Sequence, residues 1–341
     1  MPLQRVSEYW GGTQVTDADP VVSVLHDAVL LPQQGGVYLD TRELGRSVGT
    51  YHGPERHLLL PGPATDVDVA SINLYAPDAE YVYGGLIHAH YGHALMSTLS
   101  RFWGLARSGK PRSKILMHAY PDWYRVPYLR FWMENLGLGE DDFAVFHEPV
   151  RLTKVIVPSL AVEEMWWASR AFADLCRLIA ERADAVRQRR SDLAPIYLSK
   201  AHLTSGVQRL YDEEALEEAM VRRGVEVVYP EELTLADQIR LMHERPYVLG
   251  TAGSAMHTSL FVQGGCRIVG LLRSPLIHGN YGLIDALVGN SSVYLCQGLE
   301  RPGPPDEAFS ATFVIDGHDQ VAEEMIRAAE EMAPLAGIVE V

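Results

Sequence analysis

Three histidines fall close together in Gly84-Gly-Leu-Ile-His-Ala-His-Tyr-Gly-His93, where a strand reads as ending and a helix as beginning. Imidazole changes charge near neutrality, so His88, His90 and His93 suit either proton transfer or metal ligation. Zinc hydrolase motifs bring an acidic ligand or base nearby, and none lies between Tyr83 and Arg107. Proton transfer by one of the three is therefore the expected chemistry, with at least one of the three only capping or packing. A metal-dependent hydrolase using the same three histidines is the competing reading.

Other candidate groups lie further along. Leu198-Ser-Lys200, with Arg209 and Asp212-Glu213 after it, offers two cations at the end of a strand, where they can neutralise a departing phosphate. Read more plainly, they are surface charges. In Tyr229-Pro-Glu-Glu-Leu-Thr-Leu-Ala-Asp-Gln238, Glu231 or Glu232 stands just past a strand, a position from which acidic residues hold ribose hydroxyls. Either also suits the start of a helix. Finally, Tyr247-Val-Leu-Gly-Thr-Ala-Gly-Ser-Ala-Met-His-Thr-Ser-Leu-Phe261 runs an apolar strand through a glycine turn into a helix. Such a joint presents free N–H groups to phosphate or carboxylate, with Ser254 expected to cap the helix and Gly250 and Gly253 expected to take positive φ and to let a ligand approach the backbone. A structural turn without a ligand is the alternative.

These groups need a scaffold. Short β-type runs occur at 195–199, 225–229, 246–250, 267–272 and 292–296, with helical patterns at 213–222 and 235–243 between them. Thr234 is the expected cap of the second helix, with Asp237 three residues on. The alternation predicts a parallel, doubly wound sheet covered on both faces. The first half is less regular. Strands are expected near 57–60, 80–84, 114–118, 143–147 and 154–157, and helices after Gly92, over 126–137 and over 162–190. The long helix would end in the basic run Arg187-Gln-Arg-Arg190, which suits a helix C-terminus and makes a boundary near 190. A helix over 318–333 closes the chain. Asp17-Ala-Asp19 and Asp66-Val-Asp68 sit among turn residues and read as coincidental.

Composition narrows the classes. With 341 residues, 47% hydrophobic and 21% charged, the chain has an ordinary globular profile with room for two cores. A net charge of −15 argues against a general electrostatic grip on nucleic acid or anionic lipid. Cys176, Cys266 and Cys296 are widely spaced and odd in number, which fits neither a disulfide framework nor a structural zinc site. No apolar run has the length of a membrane span, so a cytoplasmic protein is expected.

Taken in order, His93-Ala-Leu-Met-Ser-Thr-Leu-Ser-Arg101, Ser199-Lys200 with Arg209, Asp212-Glu213, Pro230-Glu-Glu-Leu-Thr-Leu-Ala-Asp-Gln-Ile239 and the turn at 250–261 resemble glycosyltransferase family 61. The resemblance covers about residues 84–270, and its order and spacing are more specific than any single motif. The chain departs from the family pattern at Ser97, where an acidic residue is usual, and at Ala252 and His257, where histidine and asparagine are usual. Lys200 replaces an arginine and loses its planar fork.

The resemblance implies a GT-B-like α/β architecture of two Rossmann-like doubly wound domains facing a cleft. Residues 1–190 would form the acceptor side and 191–341 the nucleotide-sugar side. It also implies an inverting, metal-independent transferase without cofactor, moving sugar from a nucleoside-diphosphate donor to the hydroxyl of a glycan or small-molecule acceptor, in glycan or polysaccharide biosynthesis. His93, or otherwise His88 or His90, would take the acceptor proton. Lys200, Arg209 and the backbone near Gly253, Ser254, Ala255 and His257 would hold the donor diphosphate, and Glu231 or Glu232 the ribose. The altered positions 97, 252 and 257 also admit a non-catalytic nucleotide- or glycan-binding protein.

Overall fold

The computed structural model describes residues 2–32, 68–203, 209–297 and 312–332, together with the strand backbones at 36–39, 42–43, 50–52 and 57–60. Asp66 lies outside the described residues. The fold is mixed α/β and divides into two compact units. One is Gly11–Ile179; the other joins Met1–Trp10 to Ala180–Val341.

The second unit is built on a six-stranded sheet in the order Gln4–Val6, Ser291–Cys296, Arg267–Leu272, Val248–Thr251, Ile196–Leu198, Glu226–Val228. All neighbours are parallel except the first pair. Its central strands are apolar on both faces, as a sheet with helices on both sides requires. Leu216, Ala219 and Met220 of helix Glu213–Val221 and Val321 and Met325 of helix His318–Glu330 cover Tyr197, Leu249, Val269 and Leu271 on one face. Met242, Met256 and Tyr281 cover Ile196, Leu198, Val248 and Ile268 on the other. Thr234 caps helix Leu235–Glu244 as its sequence predicts, accepting the Asp237 N–H at 3.2 Å.

The chain leaves Ile196–Leu198 for its outer neighbour Glu226–Val228, then crosses to the opposite side at Val248–Thr251. The direction of winding therefore reverses between 198 and 251. At such a reversal the two following connections part to opposite faces and leave a crevice beyond the strand C-termini.

The first unit carries a seven-stranded sheet: Phe143–Ala144, Lys114–His118, Tyr81–Leu86, Val150–Pro158, Val22–Leu31, Gly36–Leu39, Arg42–Glu43. The first four run parallel, and the remaining pairings are antiparallel. This half is thus wound differently from the all-parallel sheet expected of a Rossmann-like domain. Leu30, Tyr81, Tyr83, Leu116, Leu152 and Val155 form its core. A register shift where Tyr81–Leu86 meets Lys114–His118 leaves Gly84 unpaired, and Gly85 follows with φ +88°. A Cβ on Gly85 would lie 2.9 Å from Nε of buried Arg101, so this bulge needs glycine twice over.

The predicted helix over 162–190 is shorter, spanning Arg170–Arg182. Val162–Glu163 and Trp167–Ser169 instead form a hairpin turning through Met165 at φ 59°, and Trp167–Ser169 pairs with Gln14–Thr16. Pairing with a strand more than 150 residues earlier outweighs the helical spacing of the apolar residues. At the other end, Asp184 takes φ 48° and the Ala185 N–H reaches the Ala180 carbonyl, a Schellman-type stop eight residues ahead of Asp192. The basic run beyond is paired within the chain: Arg189 donates to the Gly265 carbonyl, Arg190 pairs with Asp192, and Arg187 with Asp184. Asp17 and Asp19 are likewise held, by Arg170 and Arg107. Among the described residues no helix is long and apolar enough to cross a membrane.

Candidate active site

Strand Tyr81–Leu86 delivers the histidines, and three local bonds fix the segment after it. The Ile87 N–H donates to the His118 carbonyl, the His88 N–H to Thr98 Oγ1 at 3.2 Å, and the Tyr128 hydroxyl to the Ala89 carbonyl at 2.7 Å. Thr98 in turn donates to the Leu86 carbonyl at 2.8 Å, tying the helix back to the strand end. The helix begins as one α turn at Tyr91–His93, widens to π winding over Ala94–Thr98 and tightens over Leu99–Phe102. Widened turns of this kind recur at functional sites because they re-aim one side chain.

His93 stands immediately before this widening, at the end of the α turn. Its Nδ1 lies 2.9 Å and 3.1 Å from the two carboxylate oxygens of Glu164, and Ser97 Oγ donates to Glu164 at 2.5 Å. Glu164 sits in the turn of the 162–169 hairpin and is 1% exposed, whereas about a third of the His93 side chain (36%) remains open. The rings of His88 and His90 stand 5.9 Å and 5.3 Å from that of His93.

The three imidazoles titrate apart. Burial, with help from His93, pulls His88 down to about 4, and the same two causes lower His90. Burial also opposes the charge on His93, but the hydrogen bond and negative charge of Glu164 outweigh it and the pKa is raised. At neutral pH His88 and His90 are neutral, and His93 carries the strongest proton affinity of the three. Among the described residues no three His, Cys, Asp or Glu side chains form a group able to hold a metal ion, so His88, His90 and His93 do not converge as a ligand set.

The second unit gathers a different set at its reversal point. Lys200 follows Ile196–Leu198, is 8% exposed and donates from Nζ to the Ala252 carbonyl at 2.6 Å. Burial lowers its pKa to about 8, against the pull of Glu213. Glu213, 2% exposed, accepts from the Tyr197 hydroxyl at 2.8 Å and from Thr251 Oγ1 at 3.0 Å, and burial raises its pKa. Ser199 Oγ donates to Glu217, which also accepts from the Tyr229 hydroxyl.

The glycine turn joins this set by a route other than the expected one. Neither Gly250 nor Gly253 has positive φ, and Gly253 is extended at φ −175°. Their requirement is close approach: a Cβ on Gly250 would lie 2.8 Å from the Leu198 carbonyl oxygen, and one on Gly253 2.6 Å from Cε and 2.7 Å from Nζ of Lys200. Ser254 is the first residue of the 3₁₀ helix Ser254–Phe261 and not its cap; Gly253 holds the cap position, with no side-chain cap bond. Lys200, Gly253 and Ser254 are therefore brought together.

The remaining candidates are placed as follows. Ala255 packs half-buried under the sheet, and His257 is buried with its ring 5.2 Å from that of Tyr281. Glu231 and Glu232 lie in the exposed turn Pro230–Glu232, where Glu232 holds Nδ1 of His202 at 2.6 Å. The His202 ring stacks on Tyr229 at 3.6 Å. Arg209 precedes helix Glu213–Val221, its carbonyl accepting the Phe313 N–H.

Glu164 escaped the reading of the sequence, since its partner His93 lies 71 residues earlier. One signal was present. Glu163-Glu164 interrupts an otherwise apolar run from Leu160 to Ala168, and an acid inside such a run must find a buried partner.

The class defined so far is a mixed α/β protein with a reversing parallel sheet in one unit and a carboxylate-backed histidine in the other. The family profile described as Glycosyltransferase 61 matches residues 91–269, and the chain belongs to that family. Comparison with curated proteins gave no match. Membership makes the protein a glycosyltransferase, with a sugar donor and an acceptor as its substrates.

Proposed function

We propose that the protein is an inverting glycosyltransferase of GT-B type that takes its sugar from a nucleoside-diphosphate donor and passes it to an acceptor hydroxyl in glycan biosynthesis. The unit containing 180–341 is assigned the donor and the unit 11–179 the proton acceptor. The observation that carries this reading is the reversal of sheet order between Ile196–Leu198 and Val248–Thr251, with Lys200 lying against Gly253 at the helix Ser254–Phe261. Crevices at such reversals take phosphorylated ligands because helix N–H groups and a cation converge there.

In the mechanism, the acceptor hydroxyl attacks the anomeric carbon as the diphosphate departs. His93 takes the hydroxyl proton, and its raised proton affinity suits a base working near neutrality. Lys200 and the amides from Gly253 and Ser254 hold the diphosphate as its charge grows. Arg209 and the neighbouring Ala255 and His257 complete the donor side, and Glu231 or Glu232 holds the ribose. The leaving group needs no metal in this scheme.

A thermal-shift panel of nucleoside mono- and diphosphates and sugar nucleotides, run with and without chelator, tests the reading. A ligand at a hundred times its dissociation constant stabilises by about 2.7 kcal/mol, which is readily seen. A chelator-independent shift with one diphosphate supports the proposal and identifies the base. No shift with any nucleotide overturns it, and a loss of stability in chelator would favour the metal-dependent hydrolase.

A further inference from the structure

We propose that Glu164, seated by Ser97, is the positioning residue for His93, fixing its tautomer and the direction in which its basic nitrogen points. The proposal rests on the assignment of His93 as the base and goes further, since it names what makes one imidazole of three competent.

The geometry is specific. Both carboxylate oxygens of Glu164 lie within 3.1 Å of Nδ1, so the proton on that nitrogen is held from one side and cannot leave without stranding a buried charge. Donation from Nδ1 makes Nε2 the proton-accepting nitrogen and turns it away from the carboxylate. Ser97 Oγ, itself buried, donates to Oε1 and keeps the carboxylate from rotating. The groups around the His93 ring are His88 and His90 from the preceding segment and Glu164 from the facing hairpin. Glu164 favours the imidazolium, both by its hydrogen bond and by its charge. When His93 accepts a proton at Nε2, the carboxylate already stands against the resulting positive ring, and no buried group has to reorganise.

The arrangement also distributes the parts sensibly. Glu164 is too buried to reach a substrate, so its effect passes through His93. The supporting hydroxyl comes from the widened helical turn at Ala94–Thr98, which carries Ser97 one turn below His93 on the same face. The winding, the hairpin and the histidine therefore form one device.

The test is a nitrogen-15 NMR titration of histidine-labelled protein, with the His93 resonances identified by their loss in His93→Gln. It needs no substrate, so its outcome is separate from that of the nucleotide panel. In the wild-type protein the neutral ring should be the Nδ1–H tautomer and should titrate above His88 and His90. Glu164→Gln should lower the His93 pKa by about one unit or more, and Glu164→Asp should restore part of the shift. In transfer assays with a donor found by the panel, Glu164→Gln should lower kcat about tenfold or more, within the ~10²–10⁴ that a general base contributes, and leave KM for the donor unchanged. A neutral Nε2–H tautomer in the wild-type protein overturns the proposal without any variant. So does an unchanged His93 pKa in folded Glu164→Gln. If instead the titrations come out as expected but His93→Gln transfers sugar normally, the assignment of the base has failed and the positioning of His93 by Glu164 stands.

Discussion

Gly250, in strand Val248–Thr251, and Gly253, at the cap of the helix after it, lie three residues apart, yet alanine should act on them in different ways. At Gly250 the new Cβ would meet the Leu198 carbonyl oxygen at 2.8 Å and the Leu198 Cβ and Met256 Cε at 3.2 Å. Gly250 pairs with Leu198 in register, so relief requires two central strands to part. Overpacking of this kind costs about 1–3 kcal/mol or more. At Gly253 the obstacle is the far end of a lysine, which can swing aside. The loss there is the bond from Lys200 Nζ to Ala252, about 1.5–3 kcal/mol for a charged donor, partly offset by about 0.4–1 kcal/mol because the unfolded chain loses freedom. For a unit of this size, 1 kcal/mol moves the melting temperature by about 2–4 °C. Gly250→Ala should therefore melt up to about 12 °C lower with nucleoside-diphosphate affinity reduced only through instability. Gly253→Ala, with a net loss of about 0.5–2.6 kcal/mol, should melt about 1–10 °C lower and give a much smaller nucleotide shift, since Lys200 has been moved. Thermal melts of both variants, with and without the diphosphate identified by the nucleotide panel, decide the matter. A Gly253→Ala protein with normal nucleotide binding would refute the assignment of Lys200 to the phosphate.

Two further predictions concern pH. Asp285 is half-buried beside Asn290 and Tyr294, which donate to it at 2.8 Å and 3.0 Å, and the loss of hydration raises its pKa to about 6 from 3.8. Because the folded state holds the proton more tightly, this contribution is complete below pH 3.8 and is lost as pH rises through 6, about 3 kcal/mol in all. Asp285→Asn should remove that fall, and denaturant melts at pH 4 and 7 that show the same pH difference in both proteins would disprove it. For Lys200, protonated below about 8, diphosphate affinity should decline above that pH by at most about tenfold per unit. The slope should vanish in Lys200→Met, and a flat wild-type profile from pH 7 to 9 would remove the lysine from the site.

The parallel sheet of the second unit was legible because each strand is a short apolar run bounded by a turn, and because its helices carry their own signals, such as Thr234 before Leu235. The reversal site was legible for the same reason: Ser199-Lys200 and Gly253-Ser254 end or begin local elements. What escaped was set by distant chain. Nothing near Val162 announces Gln14–Thr16, so the aromatic spacing of 162–169 read as helix. Nothing near His93 announces Glu164, although Glu164 accepts a hydrogen bond from Ser97, one turn along the same helix. Of the two properties expected of the glycines, positive φ is absent, and the close approach is made by the Leu198 carbonyl and the Lys200 amine, which no local pattern in the sequence displays.

Strand Gln4–Val6 has a consequence for the order in which the molecule is made. It pairs with Tyr294–Cys296, so it cannot find its place until the chain has been synthesised as far as Cys296. Residues 11–179 form a contiguous stretch and can complete their core while the ribosome is still translating the remainder. The opening ten residues must wait, because closing so long a loop is slow. A fragment started at residue 180 would emerge with the backbone of Ser291–Cys296 unpaired along one side, an open sheet edge that invites pairing between chains. Expression of the 180–341 unit alone should therefore carry Met1–Trp10 fused to it, and its solubility will depend on that short strand.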